Sequence, residues 1–419
     1  MCYKKPLIGC IADDFTGASD VCSFLVDTGA KCILFNGIPS NNFDLSQYDV
    51  IVIALKIRNI HKKEAIAEVE KAYNFFVANG IEKIYDKYCS TFDSTKEGNI
   101  GPILDFLLEK SGQNFTIVSP ALPENNRIVF NGYLFADNVL LEDSSMRNHP
   151  LNPMKDSYIP RLLESQSKHR CFMLNYLDLK DSPEKILIKS DSFSKNKNYY
   201  ICCDYICNEH GAKIAETFKN LNLLSGSSSL IKEWYKALNP NAQNNINTTI
   251  IKDTSPTLIL SGSLSTQTKK QINAYIKTGS KTLRLYPDKL ISKEQTIEEL
   301  YKHIDNMEND LLIYSSGEET VNRTIQKQYS EILELTLSQL GLYALKSGIN
   351  KLIVAGGETS GAVTKSLNYI AFDIGKTVAP GVPILKPIDD VGKQLVLKSG
   401  NFGQDDFFNK AIRMMRGLK

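Results

Sequence analysis

Short apolar runs alternate along this chain with longer segments of helical spacing, and many of the runs end in glycine, serine or aspartate. That alternation restricts the fold more than any other feature. "PLIGCIA" (6–12) reads as a strand, followed by helical spacing from about Gly17 to Thr28. "KCILFN" and "DVIVIAL" read as further strands. Ile66, Val69, Ala72, Tyr73 and Phe76 mark a helix within 61–79, and "EKIYDKY" and "NFTIVSP" flank another at 101–110. Strands alternating with helices predict an α/β fold, a mostly parallel sheet with helices on both faces. Ligand groups then gather at the carboxyl ends of the strands.

Residues 120–157 are loop-rich, "PALPENNRIVFNGYLF" and then "MRNHPLNPMKDS". A loop this long in a compact domain is usually functional or disordered, and its apolar and aromatic content argues for function. Alternation resumes over 158–238. "NPNAQNNINTT" (239–249) is polar, without core-forming periodicity, and marks a domain boundary near residue 245. The second half repeats the pattern. "TLILSGS", "KTLRLYP", "DLLIYSS", "NKLIVAGG" and "KQLVLKSGNFG" are strands, with helices at 265–276, 321–346 and 404–416. Two α/β domains are therefore expected, each with a mostly parallel sheet flanked by helices.

The chain's 419 residues carry 49 Lys+Arg against 47 Asp+Glu, a net charge of +2. That balance leaves no broad basic surface for phosphate backbones, so nucleic acid is not an expected partner. No segment approaches the roughly 20 apolar residues of a membrane span. The apolar run at the start is cut by Asp13 and Asp14, which fits a buried strand better than a signal peptide. The nine cysteines, Cys2 among them, are odd in number, and several lie in strand-like runs. Reduced thiols in a cytoplasmic protein fit better than disulfides, and "CCDYIC" lacks the second pair that a zinc site needs.

"LIVAGGETSGAV" (352–363) is the most informative segment. A strand runs into Gly356 and Gly357 and opens a helix through Glu358 and Thr359. Glycines let a ligand approach the backbone, and the free N–H groups of a helix start suit an anion. Ala362 stands where a P-loop requires lysine, so this is not a Walker A loop. "LILSGSLSTQT" (258–268) has the same shape: Ser261, Gly262, Ser263, Ser265 and Thr266 could hold phosphate oxygens or simply cap the helix. "LKSGNFG" places Gly400 after a third strand. Three such ends in one domain favour a nucleotide phosphate site, with a plain tight turn the alternative at each.

In the first half, "GCIADDFTGASD" puts Asp13 and Asp14 between a strand and a helix. Adjacent carboxylates repel unless they bind something. They could serve as general base or metal ligands, or one could cap the helix. "YDKYCSTFDSTKEGN" gathers Lys87, Ser90, Thr91, Asp93, Ser94, Thr95 and Asn99, a density that suits a polyhydroxy acid or a hydrogen-bonded turn. Arg127, Arg147 and His149 lie in the long loop region, where an arginine fork would suit a carboxylate. The remaining histidines show no metal-ligand spacing.

Taken together, "ADDFTGASD", "KYCSTFDSTKEGNIGP", "PALPENNR", "MRNHPLNPMKDS", "SGSSSL", "SGSLSTQT", "GGETSGAV", "APGVP" and "LKSGNFGQDDFF" resemble the four-carbon acid sugar kinases, in order from Ala12 to Phe408. "MRNHPLNPM" is most similar to the 3-oxo-tetronate kinase branch. The resemblance implies a sugar-acid-binding domain over 1–240 and a nucleotide-binding domain over 250–419, with the active site in the cleft between them. It implies ATP-dependent phosphorylation of the 4-hydroxyl of a four-carbon sugar acid, with Mg²⁺. The acid itself (3-oxo-tetronate, threonate or erythronate), the metal ligands and whether the chain forms a homo-oligomer stay open. ATP would fall on Ser261 to Thr266, Gly356 to Thr359 and Gly400. The acid would fall on Lys87, Ser90, Thr91, Ser94, Arg127, Arg147 and His149, with Asp13, Asp14 and Asp93 as catalytic candidates. Two departures stand out. Asn126 replaces a glycine of the family pattern, and asparagine tolerates positive φ best among other residues. Ile384 and Leu385 follow "PGVP" where the family carries tryptophan. A dehydrogenase would need a Gly-x-Gly-x-x-Gly fingerprint, which neither "GGETSG" nor "SGSLST" supplies. A non-enzymatic sugar-acid sensor is the other alternative.

Overall fold

A computed structural model describes residues 5–39, 43–149, 152–193, 197–241, 253–315 and 323–418. Most of the expected boundary segment, 242–249, and Cys2 lie outside these residues. The chain divides into two compact units, Met1–Asn245 and Ile246–Lys419.

The first unit contains β1 (Ile8–Ala12), β2 (Cys32–Asn36), β3 (Val50–Ala54), β4 (Lys83–Lys87), β5 (Phe115–Ser119), β6 (Arg127–Phe130), β7 (Tyr133–Ala136), β8 (Val139–Leu140), β9 (Arg170–Leu174), β10 (Tyr199–Cys203) and β11 (Leu223–Gly226). Its main sheet has the order β2-β3-β1-β4-β11-β5-β10-β9, and every pairing is parallel. Strands buried on both faces read as continuous apolar runs, as "VIVIA" and "YYICC" do. Ala12 pairs with both Ala54 and Lys87, and Lys87 with Gly226. Asp13, Lys87 and the "SGSSSL" turn therefore emerge at one edge.

The stretch 120–157 is not the plain loop expected. β6, β7 and β8 form an antiparallel sheet of their own. Its first turn is Asn131–Gly132, both at positive φ, and the second is Asp137–Asn138, also both positive. That backbone matches the right-handed twist of hairpin strands.

The second unit contains β12 (Thr257–Ser261), β13 (Lys281–Arg284), β14 (Leu311–Tyr314), β15 (Lys351–Ala355), β16 (Ala371–Ala379), β17 (Val382–Pro387) and β18 (Gln394–Lys398). Their order is β13-β14-β12-β15-β18-β17-β16. The first five are parallel, and β17 and β16 extend the sheet antiparallel. Ile384 and Leu385 are buried in β17, so the missing tryptophan is replaced by strand-core residues. Ser261 pairs with Ala355 and Ala355 with Lys398. The three glycine-bearing ends thus lie side by side. Ile259, Ile353 and Val396 from these strands pack with Phe407, Phe408 and Ile412 of the last helix. Among the described residues no helix is long and apolar enough to cross a membrane.

Candidate active site

Asp13 leaves β1 and Asp14 opens the helix Phe15–Val26. Asp14 is its N-cap, with Oδ1 accepting the Gly17 N–H at 2.5 Å. The sequence does not single out Arg58, which nevertheless organises this edge. Its Nε donates to Asp13 Oδ2 at 2.7 Å and its Nη2 to Asp13 Oδ1 at 2.9 Å. The same Nη2 lies 2.9 Å from Asp14 Oδ2. One guanidinium therefore offsets the repulsion of two neighbouring carboxylates. Asn99 holds the arginine's loop: its Nδ2 donates to the carbonyls of Ile57 at 2.6 Å and Ile60 at 2.9 Å. The only sequence signal for Arg58 is its place just beyond β3, at the same edge as Asp13.

Asp13, Arg58, Lys87, Asp93, Ser94 and Asn99 line one pocket, closed on one side by Ile100 and Ile103. Lys87 is buried, and its Nζ donates to the Tyr88 carbonyl at 3.0 Å. Asp93 is 7% exposed, and its Oδ1 has no hydrogen-bond partner among the described residues. His149 Nδ1 stands 3.9 Å from that oxygen. In the pocket wall, burial pushes the Asp86 carboxyl well up, with Asp13 adding to the effect. Burial also raises Asp20, against the pull of Lys87 and a 2.5 Å bond from Ser228 Oγ.

Other acid-site candidates lie elsewhere. Thr91 Oγ1 pairs with Cys89 Sγ at 2.9 Å. Ser90 is half-buried in the same turn but absent from the pocket wall. Arg127 donates to the Asn125 carbonyl and sits 3.7 Å from Asp137. Arg147 is exposed, 3.6 Å from Asp143. Neither arginine reaches the pocket, because each is held by its own turn. Asn126 does take the left-handed conformation, at φ 58°.

In the second unit the three turns converge on one cradle. A methyl group placed on Gly262 would collide with Thr359 Oγ1, and one on Gly400 would sit 2.6 Å from Ser263 Oγ. Gly356 has φ 124°, where a side chain is strained whatever the space. Ser265 both caps the helix Thr266–Ile276, accepting from Thr268 N–H at 3.1 Å, and donates to the Gly400 carbonyl at 2.7 Å. Gly357, opening the helix Gly357–Leu367, has no neighbouring atom within 4 Å of where a methyl would stand. Its N–H, the first of the helix, has no backbone acceptor among the described residues. Lys398, at the end of β18, is fully buried beside these turns, a position the sequence pattern does not reveal.

Residues 8–234 match the family model described as a sugar-binding N-terminal domain, and residues 258–408 match the one described as a nucleotide-binding C-terminal domain. The chain is 37% identical to the 3-oxo-tetronate kinase of Haemophilus influenzae, over 97% of this chain and 100% of that one. It is 36% identical to the 3-oxo-tetronate kinase of Salmonella typhimurium, covering 97% and 98%. A crystal structure of a Haemophilus influenzae protein superposes with a TM-score of 0.81 at 37% identity, covering 97% of this chain and 100% of that one.

Proposed function

This chain belongs to the family that joins a sugar-binding N-terminal domain to a nucleotide-binding C-terminal domain, and from that premise we infer that it is a 3-oxo-tetronate kinase. It transfers the terminal phosphoryl group of ATP to the 4-hydroxyl of the four-carbon acid. The observation that carries this reading is near-full-length similarity to enzymes of that name, at 34–37% identity.

The pocket chemistry supports it. Lys87 supplies positive charge for a small carboxylate, Arg58 being offset by Asp13 and Asp14, and Asn99 Oδ1 and Ser94 Oγ supply polar contacts for hydroxyl groups. Phosphoryl transfer needs alignment and charge neutralisation more than covalent help. Asp93 is the best-placed general base. Both oxygens of Asp13 are taken by Arg58, and Asp14 divides its oxygens between the helix cap and Arg58. Asp93 Oδ1 is free to accept the proton of the 4-hydroxyl as that oxygen bonds to the γ-phosphorus and the bond to the β–γ bridging oxygen breaks, leaving ADP. In the second unit, backbone N–H groups at Gly357 and Gly400 would hold the phosphates, while those of Gly262 and Gly356 donate to the Ala355 and Lys398 carbonyls and fix the turns. Among the described residues no three His, Cys, Asp or Glu side chains gather as a metal cage. That fits Mg²⁺, which is commonly held by phosphate oxygens, water and one or two carboxylates. Glu358, in the first turn of its helix, would be the acid to contribute. The ion would neutralise phosphate charge. The described cysteines are all free and mostly buried, which fits a reducing cytoplasm.

A coupled ADP-release assay over four-carbon acids tests the reading. 3-Oxo-tetronate should give the highest kcat/KM. A preference for threonate or erythronate would move the chain to another activity of the same family. Ligand-induced stabilisation without ADP release would make it a sensor.

A further inference from the structure

Three lysines are buried among the described residues, and two of them have carboxylates close by. Lys87 lies among Asp14, Asp20 and Asp86. Lys351, which begins β15, meets Asp253 Oδ2 at 2.8 Å. Lys398 ends the neighbouring strand β18 with no exposure and no ion pair among the described residues. A buried cation without a counter-ion is costly, and proteins retain one where an anion arrives.

The surroundings of Lys398 join it to the glycine turns. Its Nζ donates to Thr268 Oγ1, the Ser399 carbonyl and the Gly400 carbonyl, each at 3.0 Å. Its own carbonyl accepts the Gly356 N–H at 2.9 Å. Thr268 Oγ1 donates onward to the Gly400 carbonyl at 2.7 Å. One residue thus ties the Gly356 turn, the Gly400 turn and the helix behind Ser265 together. As an ammonium, Nζ has one N–H for each of the three partners, and the Gly400 carbonyl accepts from Ser265 Oγ as well.

We propose that Lys398 is a positioning residue for the nucleotide: it fixes the Gly400 and Gly356 turns, and the phosphates of the bound nucleotide act as its missing counter-ion. This rests on the nucleotide-site reading above. Phosphate does not touch the amino group, since its three donors are occupied; it acts across the turn, where low dielectric strengthens the attraction.

A proton linkage follows. Burial alone holds the Lys398 amine down to about 7 in the unliganded protein. The nearby elements carry the acids Glu358, Asp405 and Asp406 and the bases Lys269, Lys270, Lys365, Lys410 and Arg413. None of them contributes to that shift, for which desolvation is the only cause. An arriving polyanion raises the value again, so binding above neutrality takes up a proton. Affinity should be flat below about pH 7 and then fall by up to about tenfold per pH unit.

Calorimetric titration of ADP with saturating Mg²⁺, repeated in buffers of different ionisation heat between about pH 6.5 and 8.5, reads this directly. The wild-type chain should take up a substantial fraction of a proton per site near the top of that range. Lys398→Arg should bind with the uptake abolished, and Lys398→Met should bind at least tenfold more weakly, also without uptake. Wild-type binding with no proton uptake at any pH would overturn the role of Lys398 and leave the nucleotide site standing. No ADP binding at any pH would remove the nucleotide-site reading itself. The wild-type measurement decides the matter even if a variant fails to fold.

Discussion

Arg58 grips both oxygens of Asp13, Nε to Oδ2 at 2.7 Å and Nη2 to Oδ1 at 2.9 Å, and reaches Asp14 with the same Nη2. Burial opposes the arginine's charge, but Asp13 and Asp14 overcome it and hold the guanidinium well above its ordinary value. The adjacent carboxylates are therefore an anchored pair. Replacing Arg58 with methionine leaves them facing each other without compensation. The expected result is a stability loss of about 1–3 kcal/mol, less than for a fully buried pair because solvent screens the partly exposed Arg58 and Asp14. KM for the acid should rise at least tenfold. Denaturant unfolding and steady-state kinetics measure the two effects, and unchanged values for both would show that Arg58 is not the organiser of this edge.

The same relationship separates the aspartates by role. Asp93→Asn should lower kcat by about 10²- to 10⁴-fold, the usual worth of a general base, with nucleotide affinity unchanged. Asp14→Asn should cost less, because asparagine caps a helix about as well as aspartate and only the charge toward Arg58 is lost. Parallel kcat measurements on the two variants decide the assignment. If Asp14→Asn proves the more damaging, the proton goes to Asp14.

The alternating pattern made most of the architecture readable. Expected strands and helices agree with the observed ones to within a few residues, from Ile8–Ala12 to the helix Phe407–Met415. The antiparallel pieces were harder. "FNGYLF" contains the Asn-Gly that signals a hairpin, but its strands are short and lie among prolines. β16 and β17 adjoin strand β18 and carry no helix between them, so they break the alternation that identified the rest. At the site, residue types that cluster in sequence, such as the aspartate pair, stood out. Arg58 and Lys398 did not. Each is a single charge whose meaning depends on strand register, and register comes only with the folded sheet.

In the second unit the cradle is tight enough for a single methyl group to report on it. Gly262→Ala would drive its Cβ into Thr359 Oγ1 and bring it to 3.0 Å from Leu337 Cδ1. Thr359 must move, and the turn against Gly356 moves with it. KM for ATP should rise about tenfold or more while binding of the acid to the first unit is retained. Thermal-shift titration with each ligand separately distinguishes these effects. Equal loss of both would mean general unfolding, and loss of neither would mean that phosphates lie elsewhere.

Lys351 and Asp253 give a stability test that is independent of catalysis. Lys351 is fully buried and donates to the carbonyls of Asp253 and Ser255 as well as to the Asp253 carboxylate. Burial opposes the Asp253 charge, but its bonds to Lys351 and Ser255 win and hold the carboxyl down to about 2. Its folded value thus lies below its unfolded value near 3.9. The pair's contribution is therefore complete above about pH 4 and disappears as pH falls toward about 2. Asp253→Asn should remove that pH dependence and leave Lys351 buried without a countercharge, a cost of about 3 kcal/mol or more at neutral pH. Urea unfolding of the full chain at pH 7 and across the acid range tests this. Wild-type stability of the Asp253→Asn variant at pH 7 would show that the carbonyl bonds alone suffice to hold Lys351 inside.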